Sequence, residues 1–206
     1  AIAAKLLGEL GITVDAYVES IGPVSISMDR FNLEEARRNP TGMPDAEASA
    51  QAEEYLQKCI ENQDSAGGVV CCKVHGMPAG IGEPVFDKLD ACLGQAVMSI
   101  GAVKAFAVGD GCEVSKKNGS TNNDAFCNVN GQISKKTNHA GGILGGISDG
   151  SDIILRAYFK PTPSIYQKQQ TVNQAGEEIE IQIKGRHDPI VVSRAVVVVE
   201  AMTAVT

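Results

Sequence analysis

The chain has 206 residues, a net charge of −7 and 43% hydrophobic residues, enough apolar material for a sizeable core in one large domain or two small ones. Its basic pairs, Arg37-Arg38, Lys116-Lys117 and Lys135-Lys136, are too few and too scattered for the broad basic face that a nucleic-acid backbone requires. The most apolar stretch, Ile190 to Val199, is interrupted by Ser193 and Arg194, so a membrane span is not expected.

Six cysteines, Cys59, Cys71, Cys72, Cys92, Cys112 and Cys127, show neither C-x-x-C nor zinc-type Cys/His spacing. Reduced thiols, no metal and a cytoplasmic location are therefore expected. In chain order, Ala1 to Leu10 is rich in helix formers, and Gly11 stands where a helix places its terminal glycine. The chain is read as starting inside a helix. Ile12 to Met28 alternates as a strand with an interruption at Gly22-Pro23. Phe31 to Met43 reads as a helical turn in a loop. From Pro44-Asp45, a favourable start, Ala48, Ala52, Tyr55, Leu56, Cys59 and Ile60 recur at helical spacing.

Gly67 to Val74 is a short β run, followed by a Gly/Pro loop from Gly76 to Pro84. Val85, Leu89, Cys92, Leu93, Ala96 and Val97 predict a helix closed by Gly101, and Ala102 to Val108 a further strand. Together these form one βαβ unit, although periodicity does not say whether its strands are neighbours. Gly109 to Thr137 is too long and polar for an ordinary connector, which points to a functional loop; Asn130-Gly131 can turn a small hairpin inside it. Ile153 to Phe159 and the alternation of Ile179, Ile181 and Ile183 predict strands. Pro189 to Thr206 reads as a helix despite the β-prone run Val196 to Val199. The order β, α, βαβ, β, β, α implies an α+β fold with helices layered against antiparallel β-sheets. Residues 1–206 are read as part of a single domain, with segments missing at both ends.

Three segments carry candidate chemistry. The first is Asn138-His-Ala-Gly-Gly-Ile-Leu-Gly-Gly-Ile-Ser148, followed by Lys160-Pro-Thr-Pro-Ser164. Its paired glycines let a backbone turn or approach something large and flat, and a lysine with hydroxyls can hold phosphate. The spacing matches neither a P-loop nor the dinucleotide fingerprint. The second is Gly80-Ile-Gly-Glu-Pro84, where Glu83 is read as organising a loop. The third is Lys184-Gly-Arg-His-Asp-Pro189. There Arg186 can hold phosphate or carboxylate, and His187 and Asp188 are candidate proton-transfer groups. Equally, Asp188 can cap the last helix while Arg186 pairs with a surface carboxylate.

Gly82-Glu-Pro-Val-Phe-Asp-Lys-Leu-Asp-Ala91, Met98-Ser-Ile-Gly-Ala-Val-Lys104, Val108-Gly-Asp-Gly111, the paired-glycine segment, Lys160 to Ser164, Gly185-Arg-His-Asp-Pro189 and Glu200-Ala-Met202 occur together and in this order. In this combination the chain resembles the chorismate synthases from Gly67 to its end. The resemblance implies a carbon–oxygen lyase of the shikimate pathway. Such an enzyme converts 5-enolpyruvylshikimate 3-phosphate into chorismate and phosphate by anti-1,4-elimination, using reduced FMN without net redox change. It also implies a sandwich of helices between antiparallel sheets and a homotetramer. NADPH enters only if the enzyme reduces its own flavin.

Carried over by position, the family's flavin contacts fall on Gly101, Ala102, Gly145, Lys160, Pro161, Thr162, Pro163, Ser164 and Arg186. The aspartate that relays a proton with the flavin falls on Asp188. Gly101 stands where the family often has asparagine, which leaves only a backbone contact there. The family's two catalytic histidines and most of its substrate-binding arginines belong to motifs absent from this sequence. His139 is accordingly read as a pocket-forming or hydrogen-bonded residue, His187 as a neighbour of Arg186 and Asp188, and His75 as structural or exposed. This polypeptide alone is expected to be inactive. The competing readings are a noncatalytic flavin- or phosphate-binding module and a structural oligomerisation piece.

Overall fold

A computed structural model describes residues 2–185 and 188–206. Helix α1 (Ile2–Glu9) ends at Gly11, whose φ of +76° is the left-handed conformation that suits glycine. Strands β1 (Thr13–Ile21) and β2 (Val24–Ser25) follow, with Ser20 opposite Ser25 and Ile21 opposite Val24. The expected single strand from Ile12 to Met28 is thus an antiparallel pair: Gly22-Pro23 reverses the chain instead of merely interrupting it. A 3-10 turn (Met28–Arg30) and helix α2 (Leu33–Arg38) lead to α3 (Ala46–Glu61).

Strand β3 (Gly68–His75), helix α4 (Leu89–Met98) and strand β4 (Val103–Val108) form the expected strand–helix–strand unit. Helix α4 starts later than Val85, the position the spacing predicts. Val85 and Phe86 are 69% and 89% exposed, while the chain before the helix is closed by Glu83 N–H donating to the Asp87 carbonyl (3.0 Å).

The long polar segment contains a 3-10 turn (Gly111–Lys116), a short helix α5 (Gly119–Asn122) and the hairpin of β5 (Phe126–Val129) with β6 (Gln132–Lys135). As the sequence predicts, Asn130-Gly131 forms its turn, with φ of +53° and +86°. Strands β7 (Ile143–Leu144) and β8 (Ile147–Ser148) make a minimal hairpin, followed by β9 (Ile153–Phe159). The Ile179 alternation belongs to β11 (Glu178–Ile181), exposed along its whole length and paired with β10 (Gln169–Val172). Alternation there arises without a buried face. Helix α6 (Val192–Val205) closes the chain. In it the Val196–Val199 run is helical, because Val192, Ala195, Val199 and Thr203 recur at helical spacing and are buried.

The strands of the large sheet are ordered β2-β1-β3-β9-β4. Strand β9 therefore separates β3 from β4, and the two strands joined through α4 are not neighbours. Strands β1 and β3 run antiparallel. A Cβ on Gly68 would meet the Ser20 carbonyl oxygen at 2.4 Å, and one on Gly76 would meet that of Gly11 at 2.3 Å. Strands β3 and β9 do likewise, since Gly67 lies against Phe159 and His75 pairs with Asp152 at 2.9 Å. This is the α+β arrangement of helices and antiparallel sheet expected from the sequence. Among the described residues no helix is long and apolar enough to cross a membrane.

The chain divides into two compact units, Ala1–Ala16 with Val70–Tyr158 and Ala195–Thr206, and Tyr17–Val69 with Phe159–Arg194. In the first, Val70, Cys71 and Cys72 on β3, Leu93 and Val97 on α4, Ile153 and Leu155 on β9, and Val199 on α6 are buried. Burial pushes the Cys72 thiol up to about 12, which makes it a packing group and not a nucleophile. In the second, Val18, Ile21, Met43, Ala48 and Ala52 are buried, as is the charged Asp45.

Asp45 is fully buried and fully satisfied. It accepts from the backbone N–H of Ser27 (2.9 Å), Glu47 (3.1 Å) and Ala48 (3.2 Å), and from Arg30 through Nε (3.1 Å) and Nη2 (3.0 Å). The last two amides begin α3, so this carboxylate is both its N-cap and a tie to the turn at Met28–Arg30. Burial works to raise the Asp45 pKa, but the Arg30 bond and the amide donors outweigh it and hold the group at about 2. Because the folded value lies below the ordinary 3.8, the stabilisation is complete above roughly pH 4 and is lost as pH falls toward 2. Replacing Asp45 with Asn is expected to destabilise the chain by about 1–3 kcal/mol at neutral pH. In urea titrations the loss should shrink between about pH 4 and 2; a loss independent of pH across that window would contradict the assignment.

Candidate functional site

In the first unit the glycine-rich stretch is built around one backbone crossing. Gly109, at the end of β4, and Gly141 lie so close that a Cβ on Gly141 would stand 2.3 Å from the Gly109 nitrogen. A Cβ on Gly109 would stand 2.1 Å from the His139 carbonyl oxygen. Both residues have positive φ, +59° and +65°. The crossing is bonded by Asp110 N–H to the His139 carbonyl (2.9 Å), Gly109 N–H to Ile154 (2.9 Å) and Ile154 N–H to Gly141 (3.2 Å).

Two further paired glycines are also committed to packing. A Cβ on Gly142 would meet the Asp152 carbonyl oxygen at 2.5 Å, and one on Gly146 would meet the Lys88 side chain at 2.5 Å. Gly145 differs. It turns the β7–β8 hairpin with φ of +61°, and nothing lies within 4 Å of where its Cβ would be. Of the four paired glycines, it is the one whose surface faces open space.

Carboxylates hold this stretch in place. Asp124 accepts from the N–H of His139 (2.7 Å), the N–H of Ala140 (3.0 Å) and the Thr137 hydroxyl (2.7 Å). Burial works to raise its pKa, but these donors outweigh it and lower the group from its ordinary value. Asp110 bonds to the Lys117 ammonium and to His139 Nδ1 (2.6 Å); Lys117 first, then His139, holds it below the usual carboxylate range. Asn138 accepts from Gly142 N–H (2.8 Å) and donates to the Asp152 carbonyl (2.8 Å). Nearby, the Lys135–Asp149 pair is almost wholly buried, at 4% and 8% side-chain exposure. His139 thus serves the loop through both its side chain and its backbone.

Also in this unit, Gly101 follows α4 with open space where a Cβ would point. Ala102 has a φ of +70°, a left-handed conformation that costs an L-residue about 1–2 kcal/mol. Strain of this kind clusters where a backbone has a task beyond packing.

The second unit holds the other candidates. Lys160 to Ser164 is irregular but anchored: Ser65 Oγ donates to the Thr162 carbonyl (2.7 Å), and Gln169 Nε2 to that of Pro163 (3.0 Å). The Thr162 hydroxyl oxygen is buried and has no hydrogen-bond partner among the described residues, which is unusual for a buried polar atom. Lys160 is half-buried and forms no ion pair there. A small cavity of about 60 Å³ is bounded by Ser65, Ser164, Tyr166 and Asp188. Asp188 accepts a two-pronged contact from Arg194, Nη1 to Oδ2 at 2.7 Å and Nη2 to Oδ1 at 3.0 Å. Arg194 lies in the first turn of α6, so Asp188 contacts that helix through a side chain, and no capping bond to a backbone N–H of the helix is found for it among the described residues. Arg186 and His187 lie outside the described residues.

The family model described as "Chorismate synthase" matches residues 1–206. This chain belongs to the chorismate synthase family. It is 61% identical to the chorismate synthase of Lachnoclostridium phytofermentans and 56% identical to that of Agathobacter rectalis, covering all of this chain and 56% of each relative. A solved structure described as "Crystal Structure of Chorismate Synthase" superposes with a TM-score of 0.81 and 26% identity, covering 99% of this chain and 58% of that one. The chain therefore spans about half the length of the curated relatives it matches.

Against the expectations for a chorismate synthase, the structure gathers Lys160, Thr162, Ser164 and Asp188 in one unit, and Gly101, Ala102 and Gly145 in the other. Sequence reasoning gave no role to Asp110, although it lies in the Val108–Gly111 motif, or to Asp124, because each reaches its partners across long loops. His75, read from the sequence as structural or exposed, pairs with Asp152 at 2.9 Å while staying 43% exposed, and Glu83 closes a loop through its backbone. For Asp124→Asn, whose amide would set a donor against a backbone N–H, a loss of about 1–3 kcal/mol is expected. Faster hydrogen exchange at the His139 and Ala140 amides should accompany it; unchanged exchange at both would remove Asp124 from the clamp.

Proposed function

We propose that this chain supplies a large share of the flavin site of a chorismate synthase that eliminates phosphate from 5-enolpyruvylshikimate 3-phosphate to give chorismate. The observation that carries the cofactor assignment is the buried Thr162 hydroxyl, unpartnered among the described residues, two positions along the chain from half-buried Lys160, for which no ion pair is found among the described residues. That pair of groups fits a phosphorylated ligand, to which a hydroxyl can donate and an ammonium can offer charge. The open faces of Gly101 and Gly145 fit close approach by a flat ring, because no side chain there stands off a ligand.

On this reading Lys160, Pro161, Thr162, Pro163 and Ser164 hold the polar part of reduced FMN, and Gly101, Ala102 and Gly145 are assigned as flavin contacts on sequence position. Arg186 is assigned with them on sequence position alone. When bound, the reduced flavin supplies reversible electron density for loss of the phosphate without net redox change. Asp188 receives and returns a proton, and its two-pronged contact with Arg194 fixes the direction of its oxygens. The same contact is also what a purely structural aspartate would make, which keeps a noncatalytic flavin-binding module as the second reading. Assembly as a homotetramer, a cytoplasmic location and reliance on NADPH only for intrinsic flavin reduction belong to the same proposal.

Proton transfer and charge stabilisation by the family's other histidines and arginines are each worth about 10²-fold or more. The 206-residue chain alone is therefore expected to form no detectable chorismate in an anaerobic assay with reduced FMN; robust turnover would contradict the assignment of those roles elsewhere. For the cofactor reading, Lys160→Ala and Thr162→Val should each weaken FMN binding about tenfold, equivalent to the loss of one charged or polar contact. Their unfolding midpoints should change little. FMN affinity equal to the parent's in both variants, or no binding by the parent at any accessible concentration, would refute the placement of FMN on this segment.

A further inference from the structure

In the second unit the chain leaving α3 runs against both parts of the proposed site. Helix α3 ends in a hydrogen-bonded cap: Gln63 N–H donates to the Ile60 carbonyl (3.0 Å) and Asp64 N–H to that of Cys59 (2.8 Å). Gln63 stands where such a cap ordinarily places glycine, and its φ of +58° is left-handed. Backbone strain of this kind clusters in segments with a task beyond packing. What the cap directs is Ser65-Ala66-Gly67. Ser65 Oγ donates to the Thr162 carbonyl (2.7 Å). The N–H of Ala66, a residue 2% exposed, donates to the carbonyl of Pro189, next to Asp188 (2.7 Å). A Cβ on Gly67 would stand 2.6 Å from the Phe159 carbonyl oxygen and 3.2 Å from the Pro161 ring. Three consecutive residues thus brace residues 160–164 and the chain beside Asp188.

Residues 160–164 need such bracing. Pro161 and Pro163 have no N–H to give to a β-ladder; each holds its own φ at about −65° and keeps the residue before it extended. An irregular segment of this kind, if left mobile, would have to be ordered by its ligand, which weakens binding. Ser65 engages the Thr162 peptide and not the Thr162 hydroxyl. The hydroxyl oxygen is therefore held in place while it stays buried and without a partner among the described residues. We propose that Ser65 is a positioning residue of the cofactor site: its hydroxyl fixes the Thr162 peptide, so that the Thr162 hydroxyl and the Lys160 ammonium are set for a phosphorylated ligand before it arrives. This rests on the reading of residues 160–164 as the segment that holds FMN. Ser65 acts through Thr162, not on the ligand.

FMN titrations of the 206-residue chain test it, with circular dichroism confirming that each variant is folded. Ser65→Ala should weaken FMN binding about three- to tenfold, the range for one neutral hydrogen bond. Ser65→Thr, which keeps the hydroxyl, should recover most of that affinity. A residue that acts through Thr162 also gives a non-additive pair: added to Thr162→Val, Ser65→Ala should weaken binding by less than about twofold. Unchanged affinity in Ser65→Ala, where Thr162→Val alone weakens binding, would overturn the inference and leave the FMN placement standing. Full additivity of the two losses would overturn it as well, because Ser65 would then act by another route, general loosening of the fold included. Failure of the FMN placement has a different signature, affinity equal to the parent's in both Lys160→Ala and Thr162→Val, and this inference would fall with it.

Discussion

Two backbones cross at Gly109 and Gly141 with no room for a side chain on either, and the first unit is arranged about that contact. A Cβ on either residue would fall within 2.3 Å of the other strand's backbone or its neighbours. The hydrogen bonds on both sides of the crossing fix where β4 ends and where β9 begins. Asp110, one residue past the crossing, is thereby set beside His139 and Lys117. Asp124, in the loop between α5 and β5, reaches the same segment from fifteen residues earlier. Sterics position the loop, and charge-assisted hydrogen bonds then hold it.

This crossing separates two duties that look alike in the sequence. Four paired glycines suggest one flexible bed, but three of them serve to let backbone or a lysine stem come close. Only Gly145, at the tip of the β7–β8 hairpin, leaves its face open. The rigid part of the segment therefore presents a single bare position, which is how a site is held by its surroundings instead of by its own chemistry. In the second unit Asp45 has the corresponding role, joining the start of α3 to the preceding turn from a fully buried position.

Much of the fold was legible because the elements obey local rules. Gly11, the Pro44-Asp45 start and the Asn130-Gly131 turn announce themselves through backbone preference, and β9 through strict alternation. The errors have local causes as well. Val85 fits a helical spacing but is exposed ahead of α4, and the isoleucines of β11 alternate on a hairpin without a buried face. Periodicity records pattern, not burial. The insertion of β9 between β3 and β4 was not legible at all, since strand order depends on contacts between residues far apart in sequence.

The candidate site was legible chiefly through the combination of motifs resembling one family. Chemistry alone left Asp188 balanced between proton transfer and service to a helix, and its contact with Arg194 is compatible with both. The central claim, that packing glycines and one open glycine share a single motif, is tested most directly by thermal unfolding of Gly141→Ala beside Gly145→Ala. Gly145→Ala should lose only about 1–2 kcal/mol, the cost of a left-handed alanine. Gly141→Ala should lose that amount and a further several kcal/mol, because its methyl group would be forced into rigid backbone. Equal losses in the two variants would contradict the account.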